Sequence, residues 1–324
     1  MSHAIRFHST GGPEVLSWEE VPVGDPGPGE ARIRHAAVGV NYIDTYHRSG
    51  LYKLPLPSGI GNEAAGIVEA VGAGVDWVAP GDRVAYGSGP LGAYSERRVM
   101  PADRLVRIPD GVSDRSAATL MLKGLTVQYL FRQTYKLKAG DTILFHAAAG
   151  GVGLIACQWA HALGVTMIGT VGSEEKAALA KAHGCTHTIV YTRENFVERV
   201  RELTGGKGVP VVYDSVGKDT FPASLDCLSP RGLFVSFGNS SGPVANFDII
   251  LLSQKGSLYA TRPTLVTHAA TRDAMTAMAE ELFELVRAGK IVSEPRQTFA
   301  LKDAAVAHRA LESRATTGAT VLLP

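Results

Sequence analysis

The chain has 324 residues, 45% of them hydrophobic, with 32 basic side chains against 31 acidic ones and a formal net charge of +1. That length suits about two domains, and the balanced charge leaves no electrostatic footprint for nucleic acid or an anionic membrane. No apolar run approaches the roughly 20 residues that cross a bilayer, and the start MSHAIRFHSTGG lacks the basic-then-apolar order of a secretory signal. Cys157, Cys185 and Cys227 form no CxxC pair, which argues against a disulfide framework or a zinc cluster. The expectation is a soluble cytoplasmic protein with buried thiols and no membrane partner.

The first 110 or so residues read as irregular β-structure, short apolar runs cut by Gly and Pro, as in PVGDPGPGEARIRHAAVGV, AAGIVEAVGAGV and PGDRVAY. Turn residues at such short spacing predict a small barrel or sandwich. From about Leu120 the pattern changes. DTILFH predicts a strand, GLIACQWAHALG a helix ending at Gly164, VTMIGTV a strand, EEKAALAKAHG a helix and THTIVY a strand. ENFVERVRELTGG (helix), VPVVYDSV (strand), TFPASLDCL (helix), GLFVSFG (strand) and GSLYATRP (strand) continue the series. Apolar strands alternating with amphipathic helices predict a doubly wound parallel sheet, so the fold class is α/β. The tail predicts two helices, TRDAMTAMAEELFELVRAGK and KDAAVAHRALESR, and a last strand, GATVLLP. A lone strand after two helices needs an existing sheet, so the tail is expected to return to the first domain.

TILFHAAAGGVG leads from a strand into a helix, with Ala148, Gly150 and Gly153 in the G-x-G-x-x-G frame. Glycine at the second place admits a pyrophosphate close to the backbone, and glycine at the third lets helix and strand pack closely. The helix start then offers N–H groups and a positive dipole end. A dinucleotide is expected here, on Ala148, Gly150, Gly151, Val152 and Gly153. An NAD site places an acid at the end of the second strand; this strand ends in Gly172 and Ser173, with Lys176 just beyond and Tyr191 after the third strand. That pattern points to NADPH. Glu174 and Glu175 intervene, and are read as first-turn acids pointing to solvent.

The stretch GVNYIDTYHRSG packs Asn41, Asp44, Tyr46, His47 and Arg48 into a few positions. Together with GNEAAGIVEAVGAGV, GAYSERRVM, LKGLTVQYLF, FHAAAGGVGLIACQWA, VVYDSVG, VSFGNSSG and ESRATTGATVLLP, it resembles NADPH:quinone oxidoreductases of the zeta-crystallin type, in the medium-chain dehydrogenase/reductase superfamily. The resemblance spans essentially the whole chain in order. It implies a GroES-like catalytic domain from residues 1–123 and 266–324, a Rossmann NADPH-binding domain at 124–265, a cofactor in the cleft between them, and a homodimer. The cofactor contacts it implies are Asn41, Ile43, Tyr46, Lys123, Thr126, the glycine loop, Gly172, Ser173, Lys176, Tyr191, Ser215, Phe237, Gly238, Asn239, Ser240, Arg262 and Arg314.

Zinc-dependent members of that superfamily carry Cys and His at the positions matching Asn41 and Asn62. Two amides are poor zinc ligands, and His35 and His47 have no partner at ligand spacing, so no metal is expected. A quinone needs little electrophilic help, because its reduced anion is delocalised; orientation against a nicotinamide could supply much of the catalysis. Asn41, Asp44, Tyr46 and Tyr52 are the expected catalytic wall: Asn41 and Asp44 position the cofactor, Tyr46 or a water donates to the quinone, and Tyr52 stacks on it. Of that cluster, His47 and Arg48 are the residues least expected to carry the chemistry. The alternative activity is reduction of activated C=C bonds in alkenals or enoyl compounds. A non-catalytic role, as a crystallin or in RNA binding, is disfavoured by the balanced charge and the lack of a basic-aromatic platform.

Overall fold

A computed structural model describes residues 1–314 and 316–324. In chain order the elements are β1 (Ser2–Phe7), β2 (Ser17–Val21), β3 (Glu30–Val40), α1 (Tyr42–Ser49), β4 (Ser58–Gly59), β5 (Glu63–Val71), β6 (Arg83–Tyr86), β7 (Arg97–Pro101), β8 (Val106–Arg107) and α2 (Asp114–Tyr129). There follow β9 (Thr142–Phe145), α3 (Gly151–Ala162), β10 (Thr166–Val171), α4 (Glu174–Ala182), β11 (His187–Val190), α5 (Phe196–Leu203), β12 (Val209–Asp214), α6 (Ala223–Asp226) and β13 (Leu228–Ser236). The chain closes with α7 (Ile250–Gln254), β14 (Tyr259–Thr261), α8 (Leu265–His268), α9 (Arg272–Arg287), β15 (Pro295–Ala300), α10 (Ala304–Glu312) and β16 (Ala319–Leu323). Two compact units result: Met1–Leu125 with His268–Pro324, and Thr126–Thr267.

The first unit is built on a sheet in the order β15-β16-β3-β5-β6-β8, with β7 also on β3, and a smaller sheet β2-β1-β4. The closing strand β16 runs antiparallel to β3, Val321 opposite Gly39. Its neighbour β15 was not anticipated; PRQTFA alternates half-buried and exposed residues, an edge strand with too weak an apolar signal to stand out. The core is Ile5, Phe7, Ile33, Val38, Ile60, Val68, Val84, Tyr86 and Tyr94, closed by Leu301, Ala307 and Leu322 from the tail.

Helix α1 was also not foreseen within the β-rich start. It exists because Asn41 leaves β3 extended (φ −133°, ψ 151°) and the Asp44 carboxylate accepts the Asn41 N–H at 2.9 Å, satisfying a donor that the helix leaves open. Gly50 ends it in the left-handed region at φ 82°.

The second unit is a six-stranded sheet in the order β11-β10-β9-β12-β13-β14, every pairing parallel. Strand order reverses between β9 and β12, and ligands of doubly wound sheets bind beyond the carboxyl ends of the strands at such a point. Leu144, Ile168, Ile189, Val200, Val212, Leu225 and Phe234 fill its core. The helix expected over TFPASLDCL shrinks to α6, because Pro222 precedes it and β13 already begins at Leu228. Among the described residues no helix is long and apolar enough to cross a membrane.

Candidate functional site

In the first unit the corner from β3 into α1 carries a buried polar network. The register of β3 against β5 sets Gly39 opposite Glu63. A Cβ at position 39 would lie 2.4 Å from Glu63 Oε2 and 2.2 Å from Ala118 O, so only glycine leaves room for that carboxylate. Glu63 Oε2 accepts from Lys123 Nζ at 2.7 Å and from Asn41 Nδ2 at 2.9 Å, while Oε1 accepts the Leu122 N–H at 2.8 Å. Asp44 is equally occupied. Besides the Asn41 N–H it accepts from Asn62 Nδ2 at 3.1 Å and from the Tyr94 hydroxyl at 2.9 Å. Burial pushes the Asp44 carboxyl up to about 6, against those three donors and the Lys123 charge.

This donor set does not fit zinc. Asn41 and Asn62 turn their NH2 groups onto carboxylates, and the Lys123 ammonium rests on Glu63; a zinc site needs thiolate, imidazole or carboxylate atoms converging on one point. Among the described residues no group of three or more His, Cys, Asp or Glu gathers that way.

One turn along α1, the Tyr46 ring meets Tyr52 edge-on at 5.3 Å and Tyr42 at 6.0 Å, and the Tyr52 N–H donates to Tyr46 O at 3.0 Å. These three tyrosines form an aromatic wall. Tyr42 escaped the sequence reading, although it sits in the same motif. Its hydroxyl pKa is raised by burial, a rise that the Arg314 guanidinium, from the closing segment of the unit, opposes. Ile43 follows Tyr42 on the same turn. Arg48, dismissed on sequence, is a fully buried hub: it donates to both Glu312 oxygens at 3.0 and 2.6 Å, to Gly11 O at 3.1 Å, and to His308 Nδ1 at 3.1 Å. Tyr94 and His308 were not selected either. Tyr94 lay within GAYSERRVM, and His308 sits on the apolar face of α10, where a lone histidine is an ambiguous signal.

In the second unit β9 runs into the glycine-rich loop. Ala147 takes up the left-handed region at φ 58°, and Gly150 precedes α3, whose start no side chain caps. A Cβ on Gly153 would meet Ala147 O at 2.4 Å and Ala148 C at 2.6 Å, so the helix can approach the loop only through glycine. Ala148 is buried and ties to β10 through its N–H to Thr170 O at 3.0 Å. Gly151, Val152 and Gly153 thus open an uncapped helix start fitting a diphosphate.

At the end of β10, Ser173 Oγ accepts the Lys176 N–H at 3.3 Å and caps α4. A Cβ on Gly172 would stand 3.0 Å from the Tyr191 hydroxyl, so Gly172, Ser173, Lys176 and Tyr191 gather at one strand end. Of the intervening acids, Glu174 is exposed and pairs with Arg193 at 3.0 Å, while a hydrogen bond from Ser173 holds the exposed Glu175 carboxyl low. The carboxyl ends of β12, β13 and β14 gather the rest. Ser240 N–H donates to Ser215 O at 3.1 Å, Phe237 N–H to Asp214 O at 2.7 Å, and Arg262 to Gly238 O at 3.0 Å. A Cβ on Gly238 would stand 2.5 Å from Ser215 O. Asn239 continues this loop, its carbonyl accepting the Gly242 N–H at 2.9 Å. On α2, Thr126 bonds to the buried Tyr129 hydroxyl, which also feels the Arg262 charge. Tyr129, too, was missed by the sequence reading.

The chain is similar to known proteins along its whole length. Residues 27–110 match the family model of the alcohol dehydrogenase GroES-like domain, and residues 151–284 that of the zinc-binding dehydrogenases. A quinone oxidoreductase of Pseudomonas aeruginosa is 60% identical over 100% of both chains. A 2-haloacrylate reductase of a Burkholderia species is 48% identical over 100% of this chain and 99% of its own. The crystal structure of an Escherichia coli quinone oxidoreductase complexed with NADPH superposes with a TM-score of 0.98 at 53% identity, covering 99% of this chain and 100% of that one.

Proposed function

The chain belongs to the quinone oxidoreductase family, within the GroES-like and Rossmann superfamily of medium-chain dehydrogenases and reductases, and on that premise we propose that it is an NADPH-dependent quinone reductase working without zinc. The observation that carries the reading is identity of 60% along both units to a named quinone oxidoreductase. The cradle around Gly153 and the acid-free end of β10 support NADPH. When bound, NADPH supplies the hydride. Around it this chain's own residues bind and orient. The N–H groups at Gly151, Val152 and Gly153, beyond Ala148 and Gly150, take the pyrophosphate. Ser173, Lys176 and Tyr191, beside Gly172, take the 2′-phosphate, with Glu174 neutralised by Arg193. Ser215, Phe237, Gly238, Asn239, Ser240 and Arg262 border the nicotinamide half, along with Thr126. Asn41, Ile43, Tyr46, Lys123 and Arg314 hold its reactive end. Tyr46 donates a hydrogen bond to the acceptor oxygen, and Tyr52 offers a ring face to a flat substrate. Asp44 keeps the Asn41 turn in shape.

A second reading, reduction of activated C=C bonds, is favoured by the full-length match to the haloacrylate reductase. A steady-state panel with NADPH, comparing 1,4-benzoquinone, naphthoquinones, 2-haloacrylates and 2-alkenals, separates the two. Quinones are expected to lead in kcat/KM by at least about tenfold, a difference of about 1.4 kcal/mol in transition-state stabilisation; the reverse order replaces the first reading with the second.

The proposal includes a homodimer and a cytoplasmic location. In support of the dimer, β14 is the terminal strand of its sheet, its Tyr259 is 61% exposed, and Ile249 and Val266, which flank it in sequence, are 76% and 73% exposed. Light scattering on the eluting protein should give twice the chain mass, and Tyr259→Lys should lower it. In support of the location, the three cysteines are free and buried, as reducing surroundings allow.

A further inference from the structure

Tyr94 and His308 lie outside the residues assigned to cofactor or substrate, and their hydrogen bonds admit one direction only. Arg48 Nη1 stands 3.1 Å from His308 Nδ1. A guanidinium has no acceptor, so Nδ1 must be bare. Burial and the Arg48 charge hold the imidazole down to about 3, so it is neutral and its proton sits on Nε2. That N–H faces the Tyr94 oxygen at 3.1 Å, and the Tyr94 hydroxyl in turn faces Asp44 Oδ2 at 2.9 Å. Arg48 itself is pinned by Glu312 and Gly11 O.

We infer that His308 is a positioning residue: its tautomer, set by Arg48, aims the Tyr94 hydroxyl at Asp44 and so holds the Asn41 turn that walls the reactive end of the site. Asp44 receives donors from Asn41 N–H, Asn62 and Tyr94 and needs to donate to none of them. A proton arriving on Asp44 Oδ2 would point at the Asn41 N–H and the Tyr94 hydroxyl, which already present hydrogens, and one on Oδ1 would have to turn the Asn62 amide over. The relay cannot reverse to receive it, because an N–H at His308 Nδ1 would collide with the Arg48 N–H. The network therefore opposes protonation of Asp44, and keeps its cap on Asn41, whose side chain reaches Glu63. The charged groups facing it are Lys123 from α2, Glu63 from β5, Arg48 from α1 and Glu312 from α10.

The inference rests on the Asn41 turn being part of the nicotinamide site, and its test separates the two. Histidine labelled with 15N, with the His308 signals assigned by their loss in His308→Gln, should show a bare Nδ1 and a protonated Nε2 from pH 6 to 8. The opposite tautomer, or an exchange average, overturns the relay. The affinity for NADP+, which survives acid, is then followed against pH in wild type, His308→Gln and His308→Leu. Gln offers an oxygen to Arg48 and an N–H to Tyr94, and is expected to stay within about twofold of wild type with the same acid limb. Leu breaks both bonds, and its acid limb should move up by about one pH unit, the size of one lost charge-assisted hydrogen bond. If Leu does not fold, Tyr94→Phe removes the single bond to Asp44 and should give the same shift. A limb that stays put in folded Leu or Phe variants overturns the positioning role. Because the readout is cofactor affinity, it holds whichever acceptor the enzyme reduces, and a failure to reduce quinones would leave it intact.

Discussion

Replacing Lys123 with Met tests the buried network at the β3–α1 corner most sharply. The side chains of Lys123 and Glu63 are 6% and 0% exposed and meet at 2.7 Å, so neither solvent nor salt screens the pair. Met keeps the length and most of the volume of Lys. What it removes is the only cation bonded to Glu63 among the contacts described, leaving a buried carboxylate with the neutral Asn41 amide and Leu122 N–H. Removing one partner of a buried pair costs about 3–5 kcal/mol. For a unit of this size each kcal/mol lowers Tm by roughly 2–4 °C, so the first unit should melt about 6–20 °C lower. Adding Glu63→Gln to Lys123→Met removes the stranded charge, and Asn41 can turn its amide to suit the new partner. At least half the lost Tm should return. Differential scanning fluorimetry at pH 7.5 on wild type, both single variants and the double variant completes the cycle. A single variant melting within about 2 °C of wild type, or a double variant no better than Lys123→Met, would refute the reasoning.

Three further outcomes are expected. Gly153→Ala forces a methyl to 2.4 Å from the Ala147 carbonyl and should weaken NADPH binding by about tenfold or more, consistent with overpacking of about 1–3 kcal/mol. Gly150→Ala, whose nearest atom is 3.2 Å away, should do much less, both variants being read by fluorescence titration with NADPH. Lys176→Ala should narrow the preference for NADPH over NADH by about tenfold, the worth of one charge-assisted phosphate contact; an unchanged ratio of dissociation constants removes Lys176 from cofactor selection. Asp44 has its folded pKa raised from 3.8 to about 6, so its contribution to stability is present below about pH 4 and lost as pH rises through about 6, at a cost of about 3 kcal/mol. In Asp44→Asn that dependence should vanish. The Tm difference between the two proteins should change across pH 4 to 6.5 and level off above. His35 and His308, with pKa values lowered to about 4 and about 3, lose stability in the opposite sense as pH falls, and cancel in the difference.

Much of this was open to reading in the sequence, and for a local reason. The glycine loop is defined by backbone conformation and by close approach within a few residues, so Ala148, Gly150 and Gly153 announce themselves by spacing. The alternation of strands and helices from Thr142 onward is likewise local and announces a parallel sheet, whereas the strand order that places Ser215, Gly238 and Arg262 at one end of it is set by packing. Asn41 and Asp44 stood out as a polar cluster, but their partners did not. Glu63 meets Asn41 across a strand register, Tyr94 lies 50 positions from Asp44, and His308 lies 260 positions from Arg48. No periodicity links such positions, because a buried hydrogen bond is decided by which elements pack together and which atoms then lack water. The residue types by themselves determined a dinucleotide fold and a poor set of zinc donors. Tertiary packing alone decided that Arg48 is a buried anchor, that His308 has a single tautomer, and that Asp44 is held as an acceptor, since each follows from a charge or proton shut away from solvent and satisfied by partners that distant segments bring to it.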